Sequence, residues 1–298
     1  MAYNANAGSL AQLQLIKRRP LSEQESNVLN AFALAIPNLH AEPGASRASD
    51  AAIEAAHRLN SLCPSLDHKE DARDYLWRTW EIMLDIASSP EVEDNVHGRL
   101  LTILEELLQC AKGELDEKRV WRDLPGLADC FDASYTNPTC EGEESFTTEA
   151  AQIWHKLSSF GARGMAAGVL AVHAQAMYAV QSALEEPLDT LSGAEVEMAG
   201  WRVKVACAWL THGAKPLLWW ARENESYGNE EDGSNYIKRG PLYDGPAIMC
   251  IERWRFWLHR LQVLAKEESG LGEEIRVVAL QTVQTMRKGE ESTMKAWL

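Results

Sequence analysis

The sequence predicts an all-α protein with a large apolar core. Apolar residues make up 46% of the 298 residues, which is enough to fill a sizeable interior. Helix start signals and apolar residues at the 3.6-residue period recur along the chain, whereas no run of alternating β-branched residues predicts a strand. We expect a single domain over residues 1–298 with about ten helices, although this length also allows two closely packed helical lobes.

The first half of the chain carries separate helix signals. Ser22-Glu23-Gln24-Glu25 is a capping box, in which the serine hydroxyl and the second glutamate satisfy the first free amides of a helix. Asp67 with Glu70 predicts another helix start, and Pro125 suits the first turn of a short helix. The predicted helices of this half cover residues 22–36, 49–60, 67–88, 96–113 and 125–131.

The second half is predicted to hold the central helices. A helical region over 148–186 should break near Gly161 and Gly164, and further helices are predicted over 192–212, 213–222, 247–268 and 273–288. Those starting at 192 and 247 are apolar on two sides, which is typical of inner helices. Residues 223–246, with four Gly and two Pro, predict an irregular surface loop or mobile lid.

Composition excludes several classes of protein. The formal net charge of −15 disfavours nucleic acid and anionic membranes as partners. Six scattered cysteines without a CxxC motif favour neither a disulfide framework nor a zinc site. The start of the chain lacks a signal-peptide pattern, and no apolar stretch is long enough to span a bilayer. A soluble cytoplasmic protein is the expectation.

Motifs of metal and cofactor chemistry do not stand out. Glu54-Ala55-Ala56-His57 has the spacing of half a di-iron site, but its Glu and His lie off the apolar face of their helix. HExxH, DDxxD, GxSxG, Walker and GxGxxG motifs are missing from the sequence. We therefore expect neither a metal nor a cofactor.

The candidate site follows from polar residues on the Trp-rich faces of the two central helices. His212 shares a face with Trp209, and Glu252 lies on a polar ridge with Arg255 and His259. Such histidines are usually hydrogen-bonded core residues, and such ridges are usually ion-paired surface; the alternative is acid–base chemistry in a Trp-lined pocket. The candidates are His212 and Glu252 for proton transfer and His173, Trp209, Trp254 and Arg163 for substrate binding.

Four short motifs occur in chain order: Trp121-x-x-Leu124-Pro125, Leu157-Ser-Ser-Phe160-Gly-Ala-Arg163, Ala208-Trp209-Leu210-Thr-His-Gly213 and Glu252-Arg253-Trp254-x-Phe256-Trp257. Together they resemble the landmarks of a fungal family of helical proteins of unknown function. The resemblance covers roughly residues 70–288 and is made fairly specific by the order of the motifs. It implies an ascomycete origin, a helical domain and a loose link to secondary metabolism, and it implies no catalytic residues.

Two functional hypotheses follow. The first is a cofactor-independent protein that binds an apolar small molecule and acts on it as an isomerase or cyclase, with Trp-rich faces lining a pocket. The second is a non-enzymatic helical scaffold or interaction module whose acidic exterior meets a protein partner or a second copy. A cavity of several hundred Å³ beside His212 would favour the first hypothesis.

Overall fold

The all-α prediction is confirmed. A computed structural model describes residues 20–36, 45–93, 95–140, 146–188, 193–223 and 238–295, of which 45–49 and 293–295 have only their backbone described. Within these ranges the chain forms eleven α-helices and one short β-hairpin. It divides into two compact units, Met1–Thr136 and Asn137–Leu298, and each is described by itself.

The first unit contains five helices and the hairpin. Helix α1 contacts α2 and α3, α2 contacts α4, and α3 contacts α5. Strands β1 and β2 pair antiparallel, with a turn at Asp116 and Glu117, both at positive φ. The elements are α1 (Glu23–Ala35), α2 (Ala45–Leu62), α3 (Lys69–Ser88), α4 (Asn95–Leu107), β1 (Glu114–Leu115), β2 (Lys118–Arg119) and α5 (Leu127–Ser134).

Of the three predicted helix starts in this unit, the one at Ser22 is confirmed, the one at Asp67 is wrong, and Pro125 lies two residues before the start of α5. At α1 the Glu25 N–H donates to Ser22 Oγ over 3.2 Å, and the Ser22 N–H donates to the Glu25 carboxylate over 2.9 Å. Helix α3 instead begins after His68, without a side-chain cap. The Asp67 carboxylate accepts a hydrogen bond from the Ser65 hydroxyl. Asp67 therefore stabilises a local turn and does not cap the helix.

Two fully buried tryptophans, Trp80 and Trp121, lie in the core of the first unit. Trp80 and Trp121 meet edge to face with ring centroids 6.1 Å apart. Both indole N–H groups are satisfied, one by the Pro125 carbonyl at 2.9 Å and the other by the Asn60 side chain at 2.7 Å. When its N–H is hydrogen-bonded, an indole buries a large apolar area without leaving an unsatisfied donor in the core.

The second unit contains six helices and a 3-10 turn. Helix α8 contacts α6, α7 and α11, whereas α10 contacts α11, α9 and α7. The elements are α6 (Thr148–Ala166), α7 (His173–Leu184), α8 (Ala194–His212), α9 (Ala214–Glu223), α10 (Ile251–Leu264), a 3-10 helix (Glu267–Ser269) and α11 (Glu273–Lys295). No helix among the described residues is long and apolar enough to cross a membrane.

The break between α6 and α7 lies later than the sequence predicts. Helix α6 continues through Gly161 and Gly164 and ends at Ala166. A Cβ on Gly164 would lie 2.5 Å from Leu170 Cδ1, so this glycine lets the chain after the helix fold back against it. The glycine that suggested a kink therefore serves close packing instead.

Of the two helices predicted to be central, α8 is largely buried, whereas α10 is buried along one side and exposed at Glu252, Arg255 and His259; neither is the main partner of the other. Helices α7, α9 and α11 each contact both of them. The space predicted between α8 and α10 is therefore shared with three further helices.

Candidate functional site

The most polar part of the interior of the second unit is a charged cluster around Glu185, just after α7. Arg253, from the first turn of α10, donates from Nε to Glu185 Oε1 over 2.7 Å and from Nη2 to Oε2 over 2.9 Å. Trp257, one turn later, donates its indole N–H to the same Oε1 over 2.8 Å. Both side chains of the ion pair have 0% exposure. A bidentate ion pair of this kind fixes the start of α10 against the end of α7.

The cluster also holds the segment that leads into α10. We call residues 238–250 the strap. The Gly240 N–H donates to Glu185 Oε2 over 2.8 Å, and the Leu242 N–H donates to the Glu185 carbonyl over 3.0 Å. The strap includes the last part of the loop predicted over 223–246. The hydrogen bonds of Gly240 and Leu242 to Glu185 anchor it. Residues 224–237 of that loop lie outside the described residues.

Two aromatic rings, those of Tyr243 and Trp257, lie beside the buried arginine. The Arg253 guanidinium lies 5.1 Å from the centre of the Tyr243 ring and 5.8 Å from that of Trp257. Burial raises the pKa of the Tyr243 hydroxyl above its ordinary value, and its contact with Cys250 Sγ at 3.4 Å adds to the rise. The guanidinium is thus enclosed by ring faces and by its carboxylate, an arrangement suited to a structural cation.

Glu252, predicted to transfer a proton, is the exposed neighbour of the buried Arg253. Glu252 is exposed in the first turn of α10, and the ridge partners Arg255 and His259 are exposed as well. A hydrogen bond from its own backbone N–H, followed by one from Cys250, lowers the pKa of the Glu252 carboxyl. The group is therefore held ionised at a helix N-terminus, where a carboxylate is favoured. The polar ridge lies in solvent and not inside a cavity.

The structure brings two of the predicted residues together. Arg163 Nη2 donates to His212 Nε2 over 3.1 Å, joining α6 to the end of α8. Because a guanidinium only donates, Nε2 must be an acceptor here and the imidazole is neutral in this contact. Both side chains are half-buried.

His173 has a different neighbour. Its ring centroid lies 3.5 Å from that of Trp220, at an angle of 43° between the rings. Burial lowers the pKa of His173 to about 4, so the ring is neutral at physiological pH. This aromatic contact joins the start of α7 to α9.

The two candidate tryptophans lie in the core. Trp209 and Trp254 both have 0% exposure. Six of the eleven tryptophans are among the largest fully buried side chains. The indole N–H of Trp254 has no acceptor among the described residues. Their burial is that of core side chains.

An open cleft lies at the other end of α10. It has a volume of about 680 Å³ and is bounded by the N-terminal part of α8, the end of α10 and the turn that follows. None of the six predicted site residues lines it. No signal in the sequence pointed to this cleft, because its wall is assembled from short pieces of separate elements. Its lining is apolar at Leu188, Val196, Ala199, Val263, Leu264 and Leu271 and polar or small at Arg260, Lys266, Glu268, Ser269 and Gly270.

The first unit has a smaller cavity of about 230 Å³ between α2 and the end of α4. His57 lines it, beside Glu106 and Cys110. The Cys110 thiol has its pKa raised by burial and then by Glu106, so it is not an activated nucleophile. Among the described residues there is no group of three or more His, Cys, Asp or Glu side chains placed to hold a metal ion.

Comparison with known proteins identifies the family. The chain belongs to the DUF3632 family, described as protein of unknown function, whose model matches residues 80–261, more than half of the chain. No curated protein and no solved structure gives a significant match.

Proposed function

We propose that this member of the DUF3632 family binds an apolar small molecule in the cleft between α8, α10 and the turn at 265–271. The observation that carries the proposal is the cleft itself, with its volume of about 680 Å³ and six apolar lining residues. Small-molecule sites typically enclose roughly 300–1,000 Å³ and are mainly apolar with a few polar groups. The cleft lies within that range of volumes, and its lining combines six apolar residues with five polar or small ones.

The position of the cleft on α10 supports a preformed site. Arg253, Trp257, Arg260 and Leu264 follow one ridge of the helix, at spacings of three and four residues. The first two are bonded to Glu185, whereas Arg260 and Leu264 line the cleft. Arg260 Nη2 also donates to the Glu186 carbonyl over 3.4 Å. The cluster therefore fixes the helix that forms one wall, and a rigid wall lowers the entropic cost of binding.

Binding of an uncharged fluorescent probe tests the proposal. Nile red should gain fluorescence on binding the protein, and Val196→Trp, which puts a large side chain into the cleft, should weaken that binding about tenfold or more. The matched control is Val277→Trp, at an exposed position on α11 outside the cleft, which should bind as the wild type does. Equal Nile red binding by both variants would overturn the proposal.

The sequence-based roles of the other candidates are separate from this cleft. The proton-transfer role of His212 stays a prediction, favoured by its neutral ring beside Arg163. The isomerase or cyclase activity likewise stays a prediction from the Trp-rich helix faces, and the ascomycete origin and the link to secondary metabolism stay predictions from the resemblance. The rival hypothesis of a protein-interaction module is favoured if Nile red does not bind, and the exposed Trp219 would then be the first contact to test.

A further inference from the structure

We propose that docking of the strap on Glu185 is coupled to ligand binding in the cleft, so that the protein with its strap docked binds the ligand more tightly. This inference rests on the proposed function and adds the regulation of the same site. By thermodynamic linkage, a bound ligand then favours the docked strap by the same factor.

The strap is bonded to the charged cluster at alternate residues of its main chain. The Gly240 N–H donates to the Glu185 carboxylate over 2.8 Å, and the Leu242 N–H donates to the Glu185 carbonyl over 3.0 Å. At the start of the strap, Arg253 Nη2 donates to the Lys238 carbonyl. The strap therefore holds both the side chain and the main chain of Glu185.

The strap has the features of a segment that opens locally. None of its residues, all of which are described, lies in a helix or a strand, and most of them are exposed or half-buried. Segments with few buried contacts open at a lower free energy than the whole protein. We therefore expect the strap to exchange between a docked and an open state while α7 and α10 stay folded.

Two short segments connect the docking point of the strap to the cleft. Leu188 lines the cleft only three residues after Glu185, and three residues span at most about 10 Å. Arg260 lines the cleft two turns after Arg253 on α10. The Glu185–Arg253 pair joins the two segments, and so does Arg260 Nη2, which donates to the Glu186 carbonyl over 3.4 Å. A shift of the Glu185 main chain therefore moves a wall of the cleft.

These connections set the direction of the coupling. With the strap docked, Leu188 and the end of α10 are held at the spacing that forms the cleft. Opening of the strap removes the hydrogen bonds of Gly240 and Leu242 from Glu185, so the segment before Leu188 is held less firmly. A ligand must then order this wall as it binds, which weakens its affinity.

Gly240→Ala tests the effect of the strap on the cleft. The added Cβ would lie 2.5 Å from Glu185 Cβ, so the strap is displaced although the lining of the cleft is unchanged. Nile red should bind this variant about fivefold or more weakly, as is typical of coupled sites. The matched control is Gly164→Ala, whose Cβ would lie 2.5 Å from Leu170 Cδ1 outside the strap and the cleft lining, and which should bind Nile red as the wild type does.

Amide hydrogen exchange of the wild type tests the reverse effect. Saturating Nile red should slow the exchange of the Gly240 and Leu242 amides about fivefold or more, because a bound ligand favours the docked strap. The same concentration of Nile red should leave these rates unchanged in Val196→Trp, in which a large side chain fills the cleft. This measurement decides the question even if Gly240→Ala does not fold.

The outcomes separate this inference from the proposed function. If Nile red binds the wild type and Gly240→Ala equally and leaves the exchange of both strap amides unchanged, the inference is overturned and the proposed function stands. Equal weakening by Gly164→Ala and Gly240→Ala, with unchanged exchange, would mean a general loss of stability and overturns the inference as well. If Nile red does not bind the wild type, the proposed function fails and the inference fails with it.

Discussion

Arginine occurs at both ends of helix α10, but its surroundings differ. At the start of the helix, Arg253 is fully buried and bonded to Glu185, with Trp257 completing the contact. Two turns later, Arg260 and Lys266 border an open cleft. Arg253 is therefore a buried structural cation bonded to Glu185, whereas Arg260 is half-buried in the wall of the cleft.

The difference follows from what covers each end. The strap passes over the first turn and brings the Gly240 amide to Glu185, so water is excluded and every partner is internal. The other end is bordered by a short turn and stays open. Removing a partner from a closed charged cluster costs far more than removing a group from an open one, because the stranded charge cannot regain water.

The largest expected effect distinguishes the two arginines directly. Arg253→Met should lower the free energy of unfolding by about 3–5 kcal/mol, because Glu185 is left buried without a counter-ion. Arg260→Met should lower it by less than about 1 kcal/mol, because its position is half-buried and open to solvent. Urea denaturation of both variants measures the difference.

Arg253→Lys sharpens the same comparison. A lysine keeps the charge but cannot form the forked pair, so an intermediate loss of stability is expected. Equal losses for Arg253→Met and Arg260→Met would show that the buried cluster does not stabilise the second unit more than the cleft does.

A smaller effect is expected where the strap meets the cluster. A Cβ on Gly240 would lie 2.5 Å from Glu185 Cβ and 2.7 Å from its carbonyl oxygen, so Gly240→Ala must displace the strap. We expect a loss of about 1–3 kcal/mol in the free energy of unfolding, as for other overpacked sites. In contrast, Gly98→Ala in α4 meets no described atom within 4 Å and should stabilise by about 0.5–1 kcal/mol. If Gly240→Ala leaves the free energy of unfolding unchanged, the strap can shift enough to accommodate the added methyl group.

The smallest effect concerns the neighbour of Arg253. The pKa of the exposed Glu252 is lowered in the folded protein, so its contribution to stability is present above the ordinary carboxyl pKa and is lost as the pH falls through the folded one. Glu252→Gln should therefore destabilise slightly at neutral pH, and the difference from the wild type should vanish in acid. Carboxyl NMR titration measures the pKa directly, and a raised value would restore Glu252 as a proton-transfer candidate.

The sequence predicted the helices better than the site. The capping box at Ser22 and the helix predicted from residue 96 follow local patterns, and both are confirmed. Gly164 was misread as a helix break, because its role depends on Leu170, which packs there only after the chain folds back. Glu252 was chosen for its ridge with Arg255 and His259, whereas the partner of Arg253 is Glu185, 68 residues away along the chain.

By itself, the sequence determined the all-α class and the positions of most helices, since these depend on short-range periodicity and on composition. Only the tertiary structure decided that Glu185 would reach Arg253, 68 residues away, and that the end of α10 would border a cleft. Pairing and concavity depend on which elements meet in space. No local pattern encodes them, because the residues on each side are ordinary for their own helix.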